Sequence, residues 1–159
     1  MDAKTAHRLF TYNPETGVLT RAERTSNHAK AGQVVGSRKT SGHLGTQYKG
    51  KSYLVHRIVW LLQTGEWPVY DIDHINGDPA DNRWCNLRDV PTRTNMENIR
   101  SPYRNNSTGF LGVSRLNGKF HAKVKVAGKA VHLGDYATPE EAHQVYLAAK
   151  RELHAGCTI

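Results

Sequence analysis

Residues 71–98 read DIDHINGDPADNRWCNLRDVPTRTNMEN, and the other segments of the chain are best understood from this stretch outward. Asp73 and His74 close a short β-like run. Asn86 falls in the following loop, and Asn95 falls near the start of a predicted helix. Carboxylate and amide oxygens are hard ligands that suit Mg²⁺, which takes only one or two protein ligands. Imidazole is the side chain most often used as a general base near neutral pH, so the stretch predicts a metal-assisted reaction.

The order of these residues resembles that of the HNH (ββα-metal) nucleases, in the His-Asn-Asn variant found in phage and intron homing endonucleases. The strings DHINGD, DNRWCNLR and TNMEN have the spacing of that family. The resemblance extends upstream through VHRIVWLLQTGEWP (55–68) and covers most of the first 100 residues. It implies a strand over 70–74, a second strand over 87–90 and a helix that starts near Thr92.

The resemblance also implies a role for each polar residue of the motif. Asp73 and Asn95 are expected to be metal ligands, and His74 is expected to be the general base. Asn86 is expected to join the catalytic set by orienting the loop or the histidine, and Asn82 is expected to be structural. The implied cofactor is one divalent cation, expected to be Mg²⁺, for which Mn²⁺ or a similar ion can substitute.

Three other side chains of the stretch are alternative ligands. Asn98 lies one helical turn beyond Asn95 and offers the same amide oxygen. Asp78 and Asp81 are carboxylates, but the sequence NGDP at 76–79 is strongly turn-forming, and Asp in turns usually bonds its own backbone. We therefore expect Asp78 and Asp81 to form turns, and Asn98 stays open as an alternative to Asn95.

The charge of the chain indicates a polyanionic partner. The 22 Lys+Arg residues outnumber the 14 Asp+Glu residues and give a net charge of +8. Residues 1–70 carry 10 basic and 4 acidic residues, 71–100 carry 4 and 6, and 101–159 carry 8 and 4. An acidic centre between basic flanks is expected of a cation-binding site within a phosphate-binding surface. Double-stranded DNA is the expected partner.

Cysteine usage and hydropathy predict the cellular setting. Cys85 and Cys157 form no Cys-x-x-Cys pair, and no secretory segment is predicted at the start of the sequence. We expect a reducing cytoplasm, that of the host cell if the chain is phage-encoded, with no secretion and no structural zinc. The longest apolar run, 58–62, is too short to cross a bilayer, so no membrane partner is expected.

Residues 55–62 are predicted to form a helix that leads into the motif. Apolar residues recur at helical spacing, and Gly65 with Pro68 ends the pattern. His56 and Arg57 are expected to brace the nuclease unit. Before this helix, the sequence predicts a helix, a strand, an exposed loop and a hairpin, at 5–10, 18–20, 21–43 and 44–55 respectively.

A second pattern begins after residue 100. Residues 101–109 are polar and predict a linker. The tight-turn pairs Asn117-Gly118 and Ala127-Gly128 then separate runs of strand-forming residues. Three strands are predicted at 110–116, 119–126 and 129–136.

The middle of these strands alternates between apolar and basic residues, so one face of the sheet is expected to be covered and the other bare. A helix is expected to cover the apolar face. Thr138 and Glu141 predict a capping box at its start, with Pro139 at the first helical position. Its apolar stripe is predicted at Ala142, Val145, Ala149 and Leu153.

The stretch STGFLGVSRLNGKFHAKVKVAGKAVHLGDYATPEEAHQVY resembles the apetala-two/ethylene-response-factor DNA-binding domain over 107–154. The resemblance implies that the three-stranded sheet lies in the major groove. The plant domains have Arg or Trp at the positions of Leu111, Ala130 and His132. The basic residues of this face include Lys, which pairs with phosphate as a point charge and lacks the fork of Arg, so sharp base readout is not expected. The groove-facing residues carried over by position are Ser114, Lys123, Lys125 and His132, with Arg115 close by.

These observations predict an α+β chain, with a ββα-metal HNH domain over 1–100 (core 70–100), a linker over 101–109 and a DNA-binding domain over 110–159 in which a three-stranded antiparallel sheet packs on one helix. The expected function is that of a metal-dependent homing-type endonuclease, monomeric and without a small-molecule cofactor. It would hydrolyse DNA with water activated by His74. Two alternatives stay open: a sequence-tolerant phage nuclease for defence or DNA packaging, and a catalytically inactive DNA-binding regulator.

Overall fold

The computed structural model of the protein describes residues 1–26 and 28–159. The chain is of mixed α and β structure and divides into two compact units, Met1–Pro91 and Thr92–Ile159. The sequence places the domain boundary nine residues later, after residue 100. In the part of the chain that the structure describes, no helix is both long and apolar enough to cross a membrane.

The described residues of the first unit pack two helices against small antiparallel sheets. The elements in chain order are α1 (Ala3–Leu9), β1 (Phe10–Tyr12), β2 (Leu19–Arg21), β3 (Ser37–Arg38), β4 (Leu44–Tyr48), β5 (Lys51–Leu54), α2 (Val55–Thr64), β6 (Asp71–His74) and β7 (Leu87–Val90). Strands β1 and β2 form one sheet, β3, β4 and β5 form a second, and β6 and β7 form a third. A 3-10 turn at Trp84–Asn86 leads into β7.

Helix α2 is the centre of this unit's core. Its apolar stripe is buried as the spacing predicts, and Gly65 ends the helix in the left-handed conformation at φ 82°. Arg57 donates to the carbonyls of Pro68 and Tyr70, 3.3 and 3.1 Å away. The predicted bracing role of Arg57 is confirmed, because these bonds hold the chain at the entry to β6. The buried apolar residues of this core are Ala6, Leu9, Phe10, Leu19, Val35, Val55, Ile58, Val59, Leu61, Leu62, Ile72 and Leu87.

The long predicted loop over 21–43 contains a short strand, β3, which pairs with β4. Val35 of this loop is buried, whereas its neighbour Val34 is 66% exposed. The hairpin that follows turns at Lys49-Gly50, where both residues have positive φ. This is the geometry that two-residue hairpin turns prefer.

The second unit contains α3 (Thr92–Glu97), β8 (Val113–Leu116), β9 (Lys119–Val126), β10 (Lys129–Tyr136) and α4 (Pro139–Leu153). The strands form an antiparallel sheet in the order β10-β9-β8. Val113, Ala122 and Ala142 form the centre of its core. The predicted capping box is confirmed, since Thr138 and Glu141 each accept from the other's backbone N–H.

Two details of the second unit differ from the sequence prediction. Strand β8 begins at Val113 rather than at residue 110, because Gly109 and Gly112 have positive φ, and a Cβ on Gly112 would overlap the Tyr146 ring. The buried stripe of α4 runs through Ala142, Tyr146 and Lys150, whereas Leu153 is exposed. A lysine was not expected there. Its ammonium group donates to the carbonyl of Ile99, which compensates its burial.

Candidate functional site

The β6–β7 hairpin positions the two residues expected to carry the chemistry. The antiparallel register sets Asp73 opposite Arg88 and His74 opposite Leu87. Asp73 and His74 are each only 5% exposed. A long loop over 75–86 connects the two strands, and it supplies the polar side chains that surround His74.

Asp73 forms an ion pair with Arg88. Nε and Nη2 of Arg88 lie 2.8 and 2.7 Å from Oδ2 of Asp73. Each partner is well shielded from water, so this interaction is stronger than an exposed surface pair. The Asp73 carboxylate is therefore held beside positive charge. Sequence reasoning missed Arg88, although a hairpin register drawn from the two predicted strands would have placed it across from Asp73.

His74 is oriented by Asn82. The His74 Nε2 atom donates to Oδ1 of Asn82 at 3.3 Å, and Asn82 is itself 2% exposed. Its amide nitrogen donates to the Ala80 carbonyl, and its backbone carbonyl accepts from the Tyr12 hydroxyl. Burial lowers the pKa of His74, and the Asn82 hydrogen bond opposes that shift. Asn82 is thus structural, as expected, and its structural role is exerted directly on the histidine.

Asn86 orients the loop instead of the histidine. Its amide oxygen accepts from the Asn76 backbone N–H at 2.8 Å. Its amide nitrogen donates to the Asn76 side chain and to the Asp81 carbonyl, at 3.0 and 2.8 Å. Of the two roles that the resemblance allowed for Asn86, these contacts correspond to the first. Asn86 closes the loop so that Asn82 reaches His74.

The acidic residues of the loop form turns, as predicted. Oδ1 of Asp78 accepts from the Ala80 N–H at 3.0 Å, and Oδ1 of Asp81 accepts from the Arg83 N–H at 3.2 Å. Asp81 also pairs with the Arg83 guanidinium, and hydrogen bonding from Arg83 lowers the Asp81 pKa to about 2. The carboxylate of Asp81 is therefore committed to the loop.

Two further histidines pack against His74. The ring centroids of His43, His56 and His74 are separated by 5.0, 5.1 and 5.5 Å. Burial lowers the pKa of all three, that of His56 to about 3. His56 was expected to brace the unit, but no signal in the sequence indicates His43. Its position depends on a close contact between turns, because a Cβ on Gly42 would lie 2.7 Å from the Pro79 ring.

The second unit holds the remaining candidate ligands of the motif, Asn95 and Asn98. Asn95 lies in α3 and is half-buried. Asn98 lies just beyond that helix and is buried, and its Oδ1 atom accepts from the Thr158 hydroxyl at 2.5 Å. The amide oxygen of Asn98 is thus engaged in packing the unit.

The predicted DNA-binding residues divide between the two faces of the β8–β10 sheet. The register pairs His132 with Lys123, and Ser114 with His121, which alternation places on the same face as Lys123 and Lys125. Arg115 instead lies opposite Phe120, on the face that packs against α4, and its guanidinium lies over the Phe120 ring at 5.8 Å.

Asp135 is an acidic residue on the otherwise basic face. Its Oδ1 atom lies 2.6 Å from Nδ1 of His121 and 3.0 Å from Nε2 of His132. The sequence pattern did not indicate this contact, because a register shift between His132 and Gly134 brings Asp135 opposite His121. His132 is consequently held by a carboxylate, whereas Lys123 and Lys125 extend into solvent.

The residue types present fit a hard divalent cation. Asp73 is a carboxylate residue and Asn95 is an amide residue with a half-buried side chain. Carboxylates and amide carbonyls are the protein ligands that Mg²⁺ accepts. The imidazoles of the histidine group suit softer ions instead.

One segment of the chain matches a known protein family. Residues 53–97, from the end of β5 to the end of α3, match the model of the HNH endonuclease family. No curated protein matches the chain.

One solved structure similar to the chain is described as "DNA binding and cleavage by the HNH homing endonuclease I-HmuI". The sequence identity is 24% and the TM-score is 0.44. The match covers 62% of this chain and 55% of the other, so the chain spans about half the length of that protein.

Proposed function

We propose that the protein is a metal-dependent DNA endonuclease of the HNH homing type. The observation that carries the proposal is the buried Asp73-His74 pair at the end of β6, with its loop of bracing asparagines, inside the segment that matches the HNH endonuclease family. The net charge of +8 supports DNA as the substrate.

His74 acts as the general base in this proposal. Because Nε2 carries the proton donated to Asn82, Nδ1 holds the basic lone pair. Burial lowers the pKa and keeps the ring neutral at physiological pH, which is the form that accepts a proton. His74 takes a proton from water, and the water oxygen attacks phosphorus in line. The P–O bond to the leaving oxygen breaks, and the leaving oxygen takes up a proton from solvent. The products expected from the resemblance are a 5′ phosphate and a 3′ hydroxyl.

Asp73 and Asn95 are the proposed ligands of one divalent cation, expected to be Mg²⁺. When bound, such an ion supplies Lewis-acid stabilisation of the phosphate and of the leaving oxygen. Arg88 fixes the direction of the Asp73 carboxylate at the end of β6. Asn86 and Asn82 hold the loop and the imidazole, so their contribution is positioning.

The three-stranded sheet of the second unit is the proposed DNA-binding surface, by its resemblance to the apetala-two/ethylene-response-factor domain. Lys123 and Lys125 are exposed on its uncovered face, which supports phosphate contacts. Ser114 and His132 belong to the same proposed set, although Asp135 holds His132. Arg115 is also proposed to contact DNA, with its stem lying beside Phe120.

The test is cleavage of supercoiled plasmid by the full chain, with and without Mg²⁺. Wild-type protein should convert plasmid to nicked or linear DNA only when Mg²⁺ is present. Asp73→Ala and Asn95→Ala should abolish cleavage while DNA affinity changes by no more than a few-fold. Asp78→Ala is the matched control for loss of a loop carboxylate, and it should still cleave.

Three results would change this assignment. DNA binding without any cleavage in Mg²⁺ or Mn²⁺ would favour a non-catalytic DNA-binding regulator. Cleavage scattered along the plasmid without a preferred site would favour a sequence-tolerant nuclease over a homing enzyme. Loss of cleavage in Asn98→Ala, but not in Asn95→Ala, would move the ligand role to Asn98.

A further inference from the structure

The imidazoles of His43, His56 and His74 form a cluster beside the proposed cleavage site. Of the three, only His74 takes part in the proposed reaction. One ring nitrogen from each of His43, His56 and His74 lies within 4.8 Å of the other two. All three residues belong to the first unit, and they come from three separate elements: the turn before β4, the first turn of α2 and the end of β6.

His56 provides an independent sign that this cluster is incomplete. It is only 4% exposed, and its Nδ1 atom has no hydrogen-bond partner among the described residues. A buried polar atom without a partner costs folding free energy, and such groups in native proteins usually have a functional reason. A bound metal ion would provide the missing partner for this ring.

The spacing of the rings agrees with a shared ion. Three imidazoles bound to one tetrahedral Zn²⁺, with Zn–N bonds of about 2.0–2.1 Å, have ring centroids about 5 Å apart. The three observed separations are 5.0, 5.1 and 5.5 Å. The ligand nitrogens themselves would have to turn inward, since tetrahedral Zn²⁺ spaces them about 3.4 Å apart. His43 is half-buried and lies in a turn, which allows its ring to make that adjustment.

We propose that His43, His56 and His74 bind a transition-metal ion of the Zn²⁺ class, and that this ion removes His74 from the cleavage reaction. The second half of this inference rests on the proposed endonuclease function. Imidazole nitrogen prefers Zn²⁺, Ni²⁺ or Cu²⁺, whereas Mg²⁺ prefers oxygen, so the two kinds of ion select different ligands in this chain. The proton-accepting lone pair of His74 is on Nδ1, so an ion bound there leaves the Nε2 hydrogen bond to Asn82 in place.

The consequence is inhibition by zinc of a magnesium-dependent reaction. An imidazole whose basic lone pair is donated to Zn²⁺ cannot accept a proton from water. Zn²⁺ should therefore stop cleavage even when Mg²⁺ is in large excess. Addition of a zinc chelator should restore activity, because nothing covalent has changed.

Metal binding is tested first, without reference to cleavage. Zn²⁺ titrated into the metal-free full chain in a calorimeter should bind and should raise the temperature of thermal unfolding. His43→Ala should lower Zn²⁺ affinity at least about tenfold and remove most of the thermal shift. His7→Ala removes an exposed histidine from α1 and is the matched control, which should bind Zn²⁺ as the wild type does.

A second group, His121, His132 and Asp135, could also hold a metal and has to be separated from the first. His132→Ala removes that group and should leave the high-affinity zinc site intact. The unfolding temperature of each metal-free variant shows whether the substitution has damaged the fold rather than the site. Wild-type zinc affinity in His43→Ala, or no zinc binding by the wild type, would overturn the proposal.

Inhibition is then measured on plasmid cleavage in Mg²⁺ with increasing Zn²⁺. The His43→Ala variant should keep its cleavage rate without zinc and should need at least about ten times more Zn²⁺ for half inhibition. Equal zinc sensitivity of His43→Ala and wild type would refute inhibition through this site. A chain that binds zinc through His43 but never cleaves DNA would retain the metal site and refute the proposed function instead.

Discussion

The loop over 75–86 and the uncovered face of the β8–β10 sheet are both polar. The side chains of the loop are held by hydrogen bonds, whereas the lysines of the sheet are exposed to solvent. In the loop, Asn76, Asn82 and Asn86 are each hydrogen-bonded on several sides. On the sheet, Lys123 and Lys125 extend into solvent. A proton transfer needs one orientation of its base, whereas contact with a phosphate backbone needs charge that can adapt. Under the proposed function, the held side chains of the loop serve the proton transfer and the exposed lysines of the sheet serve the attraction to DNA.

The largest expected effect concerns His74, which the loop over 75–86 holds in place. His74→Ala should lower the single-turnover cleavage rate by about 10²–10⁴, the usual range for loss of a positioned general base. DNA affinity should change little. The variant Asn82→Ala keeps the imidazole and removes its partner, so its rate should fall between those of His74→Ala and wild type. Wild-type cleavage by His74→Ala would remove His74 from the mechanism and leave the loop with a purely structural role.

The second prediction concerns acid stability, in which the two units should differ. Burial, followed by the neighbouring His74, His43 and Arg57, lowers the pKa of His56 to about 3, below the ordinary value of 6.5. As the pH falls, the unfolded chain binds the proton first. The stability that the neutral ring contributes is therefore complete above pH 6.5 and is lost as the pH falls towards 3. At about pH 4.5 the loss should be about 2–3 kcal/mol relative to pH 7.

The measurement can be confined to the first unit, because Trp60, Trp67 and Trp84 all lie in it. Urea unfolding followed by tryptophan fluorescence, in buffer with a metal chelator, should show the loss between about pH 7 and pH 4.5. The matched variant His56→Phe should flatten this dependence. In the second unit, burial lowers the pKa of Lys150 below its ordinary value of 10.5. The stability that the neutral amine contributes therefore starts to be lost at alkaline pH, as the pH falls below 10.5. Equal acid sensitivity of His56→Phe and wild type would contradict the assignment to His56.

Most of the fold could be predicted because its signals are local. The capping box at Thr138 depends on residues three positions apart, and the exposure of Lys123 and Lys125 follows from alternation within one strand. Such patterns depend on neighbouring residues and do not require knowledge of the tertiary fold. The predicted bounds of β7, β9 and β10 agree with the structure for this reason.

The parts of the site that were missed depend on contacts between distant segments. Arg88 reaches Asp73 only through the register of two strands, and His43 reaches His74 only through the packing of two turns. Tyr146 and Lys150 are buried where the helical pattern placed Val145 and Ala149, because a lysine does not mark a buried face in the sequence. Sequence therefore did not predict the contacts of Arg88, His43 and Lys150, which depend on the tertiary fold.

The third prediction concerns the exposed lysines on the uncovered face of the β8–β10 sheet. Lys123→Ala and Lys125→Ala should each weaken binding similarly on all DNA sequences. Each should also reduce the slope of log K against log salt by about one unit, the signature of one lost phosphate contact. Lys129 is paired with Val126, on the other face of the sheet, so Lys129→Ala is the matched control and should leave the slope unchanged.

The outcome also distinguishes phosphate contact from base readout. If either lysine reads a base, its loss should relax preference at one position of the site, by about 1–3 kcal/mol. Equal slopes for Lys123→Ala, Lys125→Ala and Lys129→Ala would show that the uncovered face has no special part in DNA binding.

The smallest expected effect concerns Asp135. This residue holds neighbouring side chains on the sheet face, as the asparagines do in the loop. Its carboxylate holds His121 and His132 and adds a negative charge to a surface proposed to meet phosphates. Asp135→Asn removes that charge and should tighten DNA binding about two- to fivefold at low salt, since exposed pairs of this kind contribute only about 0.2–1 kcal/mol. The gain should disappear as salt screens the surface. Glu152→Gln in α4 is the control for a change of net charge alone, and fluorescence anisotropy of a labelled duplex measures both. Equal tightening by the two variants would attribute the effect to overall charge. Weaker binding by Asp135→Asn would instead mean that His132 needs the carboxylate to make its proposed DNA contact, so that this part of the sheet depends on held side chains as the loop does.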